Sequence, residues 1–137
     1  MEVTLYRAAN DTSCPSTSMS FAKRKADARE YLDNPGFGGA TLYRLTISLD
    51  DSAVLDLRDG MPKWVRSLWA DCNERNAGTF AVFCTTDADF ISAARERGFR
   101  VVRFMDDYPE TCETWAFLFD DCDFWGDDNI TPNMTEV

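Results

Sequence analysis

Histidine is absent from this 137-residue sequence, which removes His-based triads, a His general base and the common zinc sites from consideration. The five cysteines, Cys14, Cys72, Cys84, Cys112 and Cys122, are odd in number and include no CxxC pair. That argues against a disulfide framework, and singly they read as small buried apolar residues. No run of about 18 apolar residues occurs, and the opening MEVTLYRAAN has no basic segment followed by an apolar one, so neither a membrane span nor a signal peptide is expected. The expectation is a soluble, cytoplasmic protein with no membrane partner.

Positive charge is missing from the last quarter of the chain. All 14 Lys and Arg lie at or before Arg103, where 14 Asp and Glu match them; beyond it come ten acids and no base, for a net charge of −10. The body is therefore neutral and the end carries the excess. Direct non-specific binding to nucleic acid, which needs clustered Lys and Arg on the phosphates, is not expected.

What is present is apolar surface. At 45% hydrophobic residues, with ten Phe, four Trp and four Tyr, the chain can bury a core in a single domain, 1–137, ending in an acidic segment over 120–137. Short runs rich in β-branched and aromatic residues predict strands at Val3–Arg7, Ala40–Leu49, Ala53–Leu57, Thr79–Thr85, Phe99–Met105 and Glu113–Phe119. Apolar residues three and four apart predict helices at Ala22–Asp33, Met61–Asn73 and Ala88–Arg97, the first stopped by Asn34, Pro35 and Gly36 and the last by Gly98. The aromatic face of the second, Trp64, Val65, Leu68, Trp69 and Cys72, reads as packing. NPGFGG fits neither the Walker nor the GxGxxG pattern and reads as a loop, and the closing ITPNMTEV reads as frayed. About six strands and about three helices in irregular order imply an α+β fold with mixed or antiparallel sheets.

Pro15–Leu32 is the stretch around which this order turns. Ser16, Thr17, Ser18 and Ser20 run directly into the first helix, whose apolar side is read as Phe21, Ala28, Tyr31 and Leu32. Hydroxyls ahead of a helix N-terminus either cap the helix or, with its unpaired amides, hold a phosphate or ribose. Arg7 lies on the strand before them, and Glu113 opens a strand far downstream.

Arg7 on a short strand, the STS of Ser16–Ser18 with a helix behind it, ATLYRLTISLDDSAVLDL, ARERGFRVVRFMDD, and a strand opening at Glu113 together resemble the ADP-ribosyltransferase superfamily, in its small Arg-Ser-Glu type, over about Leu5 to Asp120. The resemblance implies that NAD is the substrate and that no metal is required. It implies that Arg7 anchors the NAD ribose and phosphates, and that Ser16 holds the nicotinamide ribose, with Thr17 and Ser18 beside it. It makes Glu113 the carboxylate that bonds the ribose 2′-hydroxyl and stabilises an oxocarbenium-like centre as nicotinamide leaves. A second alignment, through MSFAKRKADAREY, puts Ser20 in place of Ser16, with Phe21 next to it and Tyr31 as a stacking residue.

Two departures narrow what the resemblance implies. Only eight residues separate Arg7 from Ser16, so a lobe of the toxin-like members is missing, and Thr111 stands where a Gln/Glu-x-Glu signature would have its first acid, which makes arginine a disfavoured target. The expected acceptor is a protein in preference to a nucleic acid, with a basic surface, or water in a glycohydrolase. A reading from another class stands beside it: an acidic mimic of nucleic acid that blocks a basic groove on a nuclease or polymerase through Asp106, Asp107, Glu110, Asp120, Asp121, Asp123, Asp127 and Asp128.

Overall fold

The computed structural model describes residues 1–12, 18–32, 41–75, 78–106, 111–119 and 130–137. In chain order the elements are β1 (Glu2–Ala9), β2 (Ser18–Ala22), α1 (Lys25–Leu32), β3 (Thr41–Ser48), β4 (Val54–Asp56), α2 (Lys63–Arg75), α3 (Phe80–Thr86), α4 (Ala88–Glu96), β5 (Val101–Asp106), β6 (Cys112–Leu118) and β7 (Met134–Glu136). The strands form one sheet in the order β4-β5-β6-β2-β1-β3-β7, antiparallel throughout except for the β4 and β5 pair. The class is α+β.

Alternation along the strands sends Val3 and Leu5, Met19 and Phe21, Leu45 and Ile47, and Trp115 and Phe117 into one apolar cluster. Among the described residues no helix contributes to that cluster, yet Leu5, Leu45, Val101 and Phe117 are each 0% exposed. The sheet covers itself. From Ser48 to Val54 the chain reaches at most about 21 Å even if extended, and a 3₁₀ turn at Asp51–Ala53 shortens it further. On a flat sheet the strands it joins, β3 and β4, would stand about 24 Å apart. The sheet therefore has to fold over. The shortest antiparallel pairing in the sheet is between β1 and β2, which share a single register pair, Tyr6 with Ala22.

The opposite face carries the helices. α2, α3 and α4 lie on the half made by β4, β5 and β6, burying Phe83, Phe90 and Ala94 against Val102, Phe104, Ala116 and Leu118. Trp64, Leu68, Trp69 and Cys72 of α2 join this cluster, as their helical spacing predicts. α1 covers the β1 side through Ala28, with Ala22, Leu42, Tyr6 and Leu32 around it.

Three local expectations are corrected. TFAVFCT is not a strand but α3: Phe80, Phe83 and Cys84 meet the core at i, i+3 and i+4, and the Thr79 hydroxyl accepts from Val82 N at 3.2 Å. An apolar run of this length carries no period of its own, so packing and the Thr79 cap decide its form. Ser18–Ala22 is not the lead into a helix but β2, paired along its whole length with β6. Ser18 and Ser20 are therefore not helix caps, and α1 begins only at Lys25. The closing segment is not frayed: after a 3₁₀ turn at Thr131–Asn133, β7 pairs Met134 with Leu45, and Thr131 Oγ1 donates to Thr12 O at 2.8 Å.

Asp87 both ends α3 and caps α4, accepting from Phe90 N at 3.0 Å. Asp87→Ala is expected to cost about 1 kcal/mol, lowering the melting temperature by about 3 °C. Thermal unfolding followed by circular dichroism measures this, and an unchanged transition contradicts the capping role.

Candidate functional site

Between α1 and α3 the helix-bearing face is left open as a cleft of about 650 Å³. Its floor is a cross-strand row, Tyr6 of β1, Ala22 of β2, Thr114 of β6 and Phe104 of β5. Three strand-to-strand steps make that row about 14 Å long. Ala28 and Tyr31 of α1 form one wall, and Ala81, Val82 and Thr85 of α3 the other. Hydroxyls of Tyr6, Ser20, Tyr31, Thr85 and Thr114 belong to lining residues, and Asp11 and Asp106 bring carboxylates.

Arg7 enters the cleft because β1 and β2 separate there. With no register pair beyond Tyr6 and Ala22, the Ser20 carbonyl is not taken up by the β1 backbone. The Arg7 Nη1 donates to it instead, at 3.0 Å. Burial pulls the guanidinium below its ordinary pKa and the charge of Asp11 raises it in part; the group stays cationic at any physiological pH. This bond engages one nitrogen of a planar fork whose geometry suits an anion.

No protein-family model, curated protein or solved structure matches this chain.

The sequence-based site residues divide three ways. Arg7, Ser20 and Tyr31 line the cleft together. Ser18 stands at its margin, its hydroxyl donating to Thr85 O at 2.8 Å. Phe21 borders the cleft, but its ring is 1% exposed and packs edge-on against Phe117 at 5.6 Å, so it is a core residue and not a stacking surface. Ser16 and Thr17 lie outside the described residues, as do the NPGFGG loop and Asp107, Glu110, Asp120, Asp121, Asp123, Asp127 and Asp128 of the acidic set.

Glu113 is not brought to the cleft. Cys112 and Thr114, its neighbours on β6, line the cleft, and alternation turns Glu113 to the other face with Trp115. There its Oε2 accepts from Arg103 Nε at 3.0 Å and Trp115 Nε1 at 2.8 Å, and its Oε1 from Arg103 Nη2 at 3.0 Å and Arg58 Nη1 at 3.1 Å. Arg58 is held in turn by Asp56, with Nη2 to Oδ2 at 2.8 Å, and the Arg103 guanidinium lies 4.9 Å over the Trp115 ring. Partial burial pushes the Glu113 carboxyl up, but the Arg103 and Trp115 hydrogen bonds and the charges of Arg103 and Arg58 outweigh it, leaving its pKa below the ordinary value. This arrangement ties β4, β5 and β6 together at their ends.

The acids that do face the cleft were not singled out for this role by the sequence. Asp106 shares a register row with Cys112, and both line the cleft with Phe104 and Thr114. The signal was the period-two run Val102, Phe104, Asp106, the first two of which are buried under the helices. Among the described residues no group of three or more His, Cys, Asp or Glu is placed to hold a metal ion. Among the same residues no helix is long and apolar enough to cross a membrane.

Proposed function

We propose that this chain is an NAD-dependent mono-ADP-ribosyltransferase that modifies a partner macromolecule, with NAD bound in the cleft between α1 and α3. The observation that carries the reading is Arg7, a guanidinium desolvated in the gap between two strands and open to a cleft lined by hydroxyls and by Tyr31. A dinucleotide asks for that combination: a fixed cation for the pyrophosphate, hydroxyls for the riboses and an aromatic edge for a base. The strand order supports it too, since β1 with Arg7 and β2 with Ser20 are neighbours in the sheet and both residues line the cleft. No metal has a part in the chemistry, and the absence of histidine is no obstacle. Loss of a cationic nicotinamide builds positive charge on the ribose, which a nearby carboxylate stabilises more in the transition state than in the ground state.

The acceptor is a protein side chain other than arginine, by the Thr111 departure, on a partner whose basic surface suits the excess of ten acids after Arg103. Without that partner, water takes the ribosyl group. Nicotinamide released from NAD is the direct measurement, with and without candidate partners, together with a mass spectrum of the partner. Saturable release is expected, with half-saturation between about 1 µM and 1 mM. No binding of NAD by calorimetry and no release above the uncatalysed rate would refute the proposal.

A further inference from the structure

We infer that Asp106 is the catalytic carboxylate of the cleft, facing the ribose carbon from which nicotinamide departs. The inference rests on the reading of the cleft as an NAD site. A fixed anion is needed where positive charge develops, and three described acids are in question. Glu113 is excluded by direction and by its partners: it faces away from the cleft and is held by two guanidinium groups and an indole N–H. Asp11 lines the cleft but stands in the field of Arg7. A carboxylate there neutralises the cation that anchors phosphate, and phosphates drawn to Arg7 repel it.

Asp106 is at the opposite corner. It ends β5, two register pairs beyond the floor row on the side away from Ser20, whereas the Arg7 fork reaches toward Ser20. Arg7 and Asp106 thus line the cleft from β1 and β5, with β2 and β6 between them in the sheet. A dinucleotide with its pyrophosphate on Arg7 extends one ribose across Ala22 and Thr114 toward Asp106. The surroundings there are apolar: Phe104 is 1% exposed and Cys112 4% exposed. Burial above all pushes up the thiols of Cys84 and Cys112; the charge of Asp106 adds to this at Cys84, and at Cys112 the Thr114 hydrogen bond opposes it while the charges of Asp27 and then Asp106 add to it. Low polarity around a carboxylate strengthens its effect on a nascent cation.

The reaction balances without any further reagent. The bond between ribose C1′ and the pyridinium nitrogen breaks, and its electron pair goes to nicotinamide, which leaves neutral. The acceptor nucleophile forms the new bond to C1′ and loses its proton to solvent. Asp106 is neither consumed nor protonated; it stabilises the ribosyl cation between the two events.

The test compares wild type, Asp106→Asn and Asp106→Glu in the full-length chain, measuring NAD binding by calorimetry, nicotinamide release and the melting temperature. Asp106→Asn is expected to lower release by about 100-fold or more while NAD affinity changes by less than about threefold. Asp106→Glu keeps the charge but displaces it, and is expected to lose at least about tenfold. Should Asp106→Asn fail to fold, Asp106→Glu carries the comparison. Release by a folded variant at the wild-type rate overturns the role of Asp106 and leaves the NAD reading standing. A wild-type protein that does not bind NAD overturns both.

Discussion

Replacing Arg7 by Met is expected to weaken NAD binding by about 100-fold, equivalent to about 2.7 kcal/mol. Among the described lining residues the guanidinium is the one group that combines fixed positive charge, partial burial and a fork of donors held from behind by the Ser20 carbonyl. Methionine fills much of the same volume and brings neither charge nor donors, so the loss falls on the pyrophosphate. The fold is expected to survive. Leaving the Ser20 carbonyl without its donor costs about 1 kcal/mol, and removing a desolvated charge returns part of that. Arg7→Lys, which keeps the charge without the planar fork, is expected to bind between the two. Calorimetric titration at low and moderate salt, with a melting curve for each variant, measures this. Wild-type affinity in folded Arg7→Met would remove the anchor on which the NAD reading stands.

Glu113→Gln separates the resemblance from the geometry. If Glu113 were the catalytic carboxylate, the variant would keep its stability and lose turnover. The geometry leads to the reverse emphasis. Gln accepts at one oxygen only, so Arg103, Arg58 and the Trp115 N–H lose charge-assisted bonds at a site where the Glu113 side chain is 17% exposed and Arg103 21%. The expected loss is about 2 kcal/mol, or about 6 °C in melting temperature.

Acid adds a second signature. Because the folded-state pKa of Glu113 lies below its ordinary value, its contribution to stability is fully present above the unfolded-state pKa, near pH 4.3. It is lost as pH falls through the lower, folded-state value. Wild type is therefore expected to lose its advantage over Glu113→Gln as pH falls below about 4. Urea unfolding of both proteins at neutral and acidic pH reads this out. Equal stability at neutral pH combined with lost nicotinamide release would return the catalytic role to Glu113.

Legibility differs between the parts of the chain for identifiable reasons. The strands around Leu5, Leu45, Phe104 and Phe117 were readable because β-branched and aromatic residues concentrate in short runs there, and the inward side of α2 because its burial leaves a spacing of three and four. Phe80–Thr86 was misread because a short apolar run fits a buried strand as well as a helix. Ser18–Ala22 was misread because its strand character comes from β6, a partner 92 to 100 residues away. Of the trio named by resemblance, Arg7 lines the cleft, Glu113 does not and Ser16 lies outside the described residues; Ser20 and Tyr31, from the second alignment, line the cleft with Arg7. Asp106 was overlooked as a cleft residue because its place depends on which side of β5 faces the helices.

By itself, the sequence determined that the chain is an α+β domain with no histidine chemistry, with a neutral body followed by ten unbalanced acids, and with an arginine on its first strand. Composition, charge and local period are properties of neighbours along the chain. Only the tertiary structure decided that β1 and β2 part beside Arg7 to open a cleft, and that Asp106 faces it while Glu113 faces away. Strand pairing and the turning of the sheet upon itself set those directions, and a shift of one residue along a strand reverses them.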